Sequence, residues 1–169
     1  MDVVPRIYGA VRRLTDAAAA LAAASVLISL ALVCYSVAMR YLAGAPAPWV
    51  DEMVGYVLVA SVMFAAAEAL RRGEHISVDI LTQKLGARAQ RAAHVLGLAA
   101  VAATAAILLV EGWDMVAFSR MVGIRSVGYL DLPIWTVQAM VPLGAALLLL
   151  AALAELLRVA AGLPAEDEG

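Results

Sequence analysis

Charged side chains are missing from four long stretches of this sequence: Ala17–Met39, Met53–Ala67, Ala92–Val110 and Leu132–Ala154. Cysteine is almost missing too. The one residue, Cys34, lies inside the first stretch, so no intrachain disulfide can form, and its thiol reads as a small packing group. With two histidines and that one cysteine, no Cys/His cluster points to a metal. Charged residues make up 15% of the chain, against about 25% in a soluble domain. The polar tails, Met1–Asp16 and Arg158–Gly169, are each too short to bury a core. These absences exclude a soluble catalytic module and a disulfide-stapled fold.

What is present is apolar length. The chain is 64% hydrophobic with a mean hydropathy of +0.91. A bilayer core of about 30 Å needs about 20 apolar residues per helix. The first and last stretches have 23 residues each and the third has 19. The second has 15, because Glu68 interrupts it. Trp49–Val50 and Ala69–Leu70 extend it to a usable span if Glu68 lies near the membrane surface. The expectation is an all-α integral membrane protein, one domain over residues 1–169. Its four helices, over about 15–40, 50–71, 91–117 and 132–157, form two antiparallel hairpins. Arg6, Arg12 and Arg13 before an apolar run resemble a signal peptide, but the run exceeds a typical h-region of about 7–15 residues. It ends in Met39-Arg40-Tyr41 rather than at a small-residue cleavage site, so it reads as a retained first helix.

Basic residues give the orientation. Both tails and the second loop hold nine of the twelve, and the first and third loops hold Arg40, Arg120 and Arg125. The positive-inside rule then puts both termini and the central loop in the cytoplasm. Gly44, Pro46 and Pro48 give the first loop turn chemistry. Tyr41, Trp49, Trp113, Tyr129 and Trp135 suit the outer headgroup level. Pro133 suits the first position of helix four, with Asp131 as an anionic cap before it. Pro142 is placed to kink that helix. In the central loop Ile76, Val78, Ile80, Leu81 and Leu85 alternate with polar residues, which fits a short amphipathic segment on the inner membrane surface. A solvated linker is the plainer alternative.

Ionisable residues inside a membrane are functional candidates by default. Glu68 and His94 fall near inner helix ends, Glu111 and Asp114 near an outer one. Each can reach headgroups or an arginine, so anchored surface charge accounts for them. The middles of helices one and four hold no charge, which argues against a stand-alone pump. No facing histidines suit a haem, and no Ser/His/Asp set suggests an enzyme. Two polar clusters remain. In Arg40-Tyr41 with Pro48-Trp49-Val50-Asp51-Glu52, the carboxylates open helix two, where the macrodipole favours them, and Arg40 is their expected partner. The other cluster, Arg71-Arg72-Gly73-Glu74-His75-Ile76-Ser77-Val78-Asp79, otherwise reads as inner-surface anchoring.

These two clusters, with Leu132-Pro133-Ile134-Trp135 and Pro142-Leu143-Gly144 downstream, resemble the small membrane subunit of a TRAP (tripartite ATP-independent periplasmic) transporter, DctQ type. Asp51 stands where glutamate is usual in that pattern. The resemblance implies residence in a bacterial inner membrane beside a large multi-helix subunit and a periplasmic solute-binding protein. It implies carboxylate import on an ion gradient, usually sodium, with the coupling ion bound by the large subunit. It further implies that this chain is a scaffold with no cofactor, no enzymatic activity and no nucleic-acid partner. Arg40, Trp49, Asp51, Glu52, Gly73, Glu74, His75 and Asp79 are then the candidate partner-interface residues. The competing reading is an autonomous small homo-oligomeric transporter or channel, which needs charge at the membrane centre.

Overall fold

The computed structural model describes residues 3–72 and 87–161, with side chains over 8–72 and 89–161. The chain forms helices α1 (Val3–Leu42), α2 (Trp49–Arg71), α3 (Ala87–Val122), α4 (Ile134–Gln138) and α5 (Met140–Ala160). Four spans are long and apolar enough to cross a bilayer: Tyr8–Leu42, Trp49–Arg71, Ala89–Val122 and Ile134–Ala160. The protein is thus an all-α, multi-pass membrane protein of four spans, as its apolar runs predict. The amphipathic reading of residues 76–85 lies outside the described residues.

The outer helices are longer than the apolar runs imply. α1 begins at Val3, well before the expected residue 15, and α3 continues to Val122 rather than about 117. At about 1.5 Å per residue, the 40 residues of α1 reach about 60 Å, twice the hydrocarbon thickness. α3 ends on Gly123, whose φ of +71° is the left-handed conformation that closes a helix at little cost. The Ile124 N–H then returns to the Ser119 carbonyl at 3.1 Å.

The last span is broken. Pro142 has no N–H to give the Gln138 carbonyl, so the helical ladder opens there. The break falls at Ala139, between α4 and α5. The Ala139 N–H still reaches the Trp135 carbonyl at 3.0 Å, and the Leu143 N–H reaches that of Ala139 at 3.2 Å. The expected kink is therefore a one-residue interruption within a continuous span.

The spans do not close into a square bundle. α1 packs on α2, α2 on α5 and α5 on α3, with a smaller α1–α5 contact. α2 and α5 are the central pair, while α1 and α3 flank them and leave most of their surface uncovered. Large apolar side chains line the flanks, among them Leu27, Leu30 and Val37 on α1 and Leu96, Ile107 and Phe118 on α3. The buried residues are small. Ala67, Ala151 and Ala152 form the core with Leu70 and Leu98, at the end where α2 and α5 finish and α3 begins. Nearer the other end, Gly144 of α5 lies so close to Met63 of α2 that a Cβ there would stand 2.6 Å from the Met63 Cβ and 2.8 Å from its carbonyl oxygen. Gly112 of α3 likewise receives the Pro142 ring, with Cδ at 3.2 Å from such a Cβ.

This packing gives a direct test. Gly144→Ala drives a methyl group into the α2 backbone, which cannot yield as a flexible side chain does. Overpacking of this kind costs about 1–3 kcal/mol, so the variant should melt at lower temperature in detergent. Gly97→Ala, whose new Cβ meets nothing within 4 Å, should melt no lower than the parent.

Candidate functional site

Two polar clusters tie the helices together, one at each end. At the end carrying the chain termini, Glu68 of α2 is 4% exposed and would be costly as a free carboxylate. Arg71, one turn on, donates to it from both Nε (2.9 Å) and a terminal nitrogen (2.6 Å). The same guanidinium reaches across to α1, with Nε also 3.1 Å from the Thr15 hydroxyl and the terminal nitrogen 2.8 Å from Asp16. Arg72 adds a 2.7 Å bond to Glu68 from the exposed side. Thr15, only 1% exposed, donates its own hydroxyl to the Arg12 carbonyl at 3.0 Å.

A second buried carboxylate lies close by in the fold. Glu155 of α5 is 4% exposed. It accepts the Tyr8 hydroxyl of α1 at 2.9 Å and pairs with Arg158 at 3.0 Å. Arg158 also stacks over the Tyr8 ring, 5.8 Å from its centroid. One end of α1 is thus fastened to both central helices by charge-assisted bonds.

At the opposite end Glu52, in the first turn of α2, holds the loop between α3 and α4. Its carboxylate accepts the Tyr56 hydroxyl at 2.6 Å, the Leu130 N–H at 3.1 Å and the Ser126 hydroxyl. Ser126 Oγ in turn accepts the Gly128 N–H at 3.1 Å. A Cβ at Gly128 would overlap the Glu52 carboxylate, so a side chain there would push that carboxylate aside. The loop folds on itself as well. The Ser126 N–H reaches the Leu132 carbonyl at 2.8 Å, and the Ile134 N–H that of Ile124 at 3.1 Å. Arg125 Nε is paired with Asp131 at 2.7 Å. That contact holds the Asp131 carboxyl below its ordinary range and raises the Arg125 guanidinium above its own.

Several expectations need correction here. Arg40 is exposed and makes no ion pair with Asp51 or Glu52. Glu52 is instead engaged by Tyr56, Ser126 and the Leu130 amide, neutral donors from its own helix and a loop more than seventy residues away. Asp51 stays exposed in the first turn of α2. Asp131 does not cap the last span. Its φ of +46° places it in a turn, and Pro133 occupies the N-cap position with no side-chain cap bond. Trp49 packs on Tyr35, ring centroids 6.1 Å apart. Gly73, Glu74, His75 and Asp79 lie outside the described residues.

Sequence reasoning missed Tyr8, Thr15, Tyr56, Ser126 and Glu155 as parts of these clusters. Spacing does signal the local halves. Glu52 and Tyr56 are four residues apart, Glu68 and Arg71 three, Glu155 and Arg158 three. Among the described residues no three His, Cys, Asp or Glu side chains gather as a metal site. The chemistry available to these clusters is mechanical: they fix helix ends and a loop.

Three substitutions probe the clusters. Removing one partner of a buried ion pair costs about 3–5 kcal/mol. Arg71→Met should therefore destabilise the fold far more in thermal denaturation than Arg72→Met, whose side chain is exposed. At the other end, Glu52→Ala removes the acceptor of the half-buried Leu130 N–H and of the Ser126 hydroxyl, while the Tyr56 hydroxyl keeps its 3.0 Å bond to Ser126 Oγ. The Leu130 amide should then exchange its hydrogen at least tenfold faster, with the exchange of mid-α5 amides unchanged.

Comparison with known proteins places these features in a family. The family model for tripartite ATP-independent periplasmic transporters, DctQ component, matches residues 29–162. The "C4-dicarboxylate TRAP transporter small permease protein DctQ" of Rhodobacter capsulatus is 31% identical over 100 residues. That match covers 59% of this chain and 44% of the relative's length. The matched family region runs from the middle of α1 past the end of α5, through both loops at the end opposite the start of α1. The chain belongs to the DctQ family of TRAP transporter subunits.

Proposed function

We propose that this chain is the small accessory subunit of a TRAP transporter in a bacterial inner membrane, with both termini in the cytoplasm. Its partners are a large multi-helix membrane subunit and a periplasmic solute-binding protein. The imported solutes are carboxylates, the class named for the Rhodobacter capsulatus relative. The gradient is sodium, bound by the large subunit. The chain itself is neither an enzyme nor a stand-alone carrier.

The observation that carries this reading is the open row of spans. α1 and α3 flank a central pair, with large apolar faces uncovered along their length. Such a wall suits a subunit that widens the static part of a larger assembly. The carboxylates of Glu52, Glu68 and Glu155 are all held by protein donors. The excess of basic residues on the tails and central loop supports the sidedness. With Glu52 occupied, the first hairpin has the exposed charges of Arg40 and Asp51, beside Trp49, to offer a partner at the outer end. Gly73, Glu74, His75 and Asp79 are the candidates for an inner-side contact with the large subunit.

Reconstituted vesicles test this. Sodium-driven uptake of a C4-dicarboxylate or related carboxylate should require the large subunit, the binding protein and this chain together. Omitting this chain should reduce uptake to background. Full uptake without it defeats the accessory role, and uptake by this chain alone marks an autonomous transporter.

A further inference from the structure

A groove of about 540 Å³ runs between the start of α3 and the end of α5, at the end of the molecule richest in arginine. Val95 of α3 and Leu153, Leu156 and Leu157 of α5 line it. Arg91 stands at its edge. One guanidinium nitrogen of Arg91 donates to the Val159 carbonyl at 2.8 Å, which fixes the side chain against the last turn of α5. That is a neutral acceptor. Arg71, Arg72 and Arg158 at this end each face a carboxylate, whereas Arg91 has none among the described residues.

The groove therefore combines an apolar floor with one uncompensated, exposed guanidinium at its edge. Arg91 sits in the first turn of the third span and immediately precedes the charge-free run Ala92–Val110, the position of a side chain that reaches for headgroups. Val95, four residues further on, lies about 6 Å deeper toward the hydrocarbon. An amphiphile matches this gradient when its anion meets Arg91 and its chain follows the leucines inward. Guanidinium binds phosphate oxygens through paired N–H donors, and basic pockets between spans bind anionic headgroups. We propose that the α3–α5 groove holds one anionic phospholipid, its phosphate on Arg91 and one acyl chain against Val95, Leu153 and Leu157. The proposal does not depend on the transport role. The lipid would fill the seam between a flanking helix and the central pair.

Native mass spectrometry of the full chain in detergent, with helicity checked by circular dichroism, tests this. Phosphatidylglycerol should remain as a single adduct that resists delipidation, and phosphatidylcholine should be lost. Inorganic phosphate should give no adduct, which separates a lipid from a free anion. Arg91→Gln should weaken phosphatidylglycerol retention at least tenfold. Val95→Trp, which keeps Arg91 and its bond to Val159 but fills the groove, should do the same. Equal retention of both lipids, or an adduct that survives both substitutions, overturns the proposal. So does binding that appears only after residues 162–169 are removed, because the acidic tail with Glu166, Asp167 and Glu168 would then be the occupant.

Discussion

Inside a bilayer an apolar helix face gains little by leaving lipid for another helix, because acyl chains are as apolar as leucine. The architecture of this chain follows from that constraint. Burying large aliphatic groups would not hold four spans together, and here most of them are not buried. Close approach does the work instead: alanines form the centre of the core, Gly144 lets α5 come nearer to α2 than a methyl group permits, and Gly112 makes room for the Pro142 ring. Dispersion then acts over short distances between backbones. Where the membrane ends, polar bonds become available, and the chain uses them at both ends.

The two ends are built differently. At the arginine-rich end the bonds are charge-assisted and join three helices. Arg71 alone contacts Thr15, Asp16 and Glu68, so one guanidinium serves α1 and α2 together. A buried carboxylate there gains a partner whose removal leaves a large desolvation penalty, which fixes the register of α1 on α2. At the opposite end Glu52 has only neutral donors. It organises a loop rather than a helix pair, and that loop presents Val127 and Tyr129 outward on a constrained backbone. The middle of the wall has neither device, and there the small residues carry the contact.

How much of this is legible in the sequence depends on the range of each interaction. The four spans can be read because a bilayer demands a minimum run of apolar residues, a local property of composition. The interruption near Pro142 is local too. The row order, with α5 rather than α3 beside α2, cannot be read from hydropathy, since every span is apolar on all sides. The site was half legible. Asp51 and Glu52 were correctly singled out as opening α2, but Arg40, ten or so residues away along a tight turn, was the wrong partner. Proximity in sequence suggested an ion pair. The fold supplied Ser126 and the Leu130 amide from the far loop, and an anion with three donors has no need of a cation. Asp131 failed for a related reason. A carboxylate before Pro133 suggests a cap, yet its neighbour Arg125 draws it into the turn.

The asymmetry between the ends bears on how such a chain could serve a larger assembly. A scaffold must resist load without carrying a moving site. The charged end fastens α1 to both α2 and α5, so α1 cannot swing without breaking bonds of a buried carboxylate. α3 is held by small-residue packing, by the core residue Leu98 and by the Arg91 bond to α5. Its far end packs on α4, with Arg120 over the Trp135 ring 5.6 Å from its centroid, and is joined to α2 through the loop that Glu52 grips. That loop is one point at which a partner at this end could act on α3. Pulling on residues 123–133 strains the Glu52 bonds to Ser126 and the Leu130 amide, while the Arg125–Asp131 pair holds the turn itself. The two ends thus differ in what holds each buried or half-buried carboxylate: arginines at Glu68 and Glu155, a tyrosine, a serine and a backbone amide at Glu52.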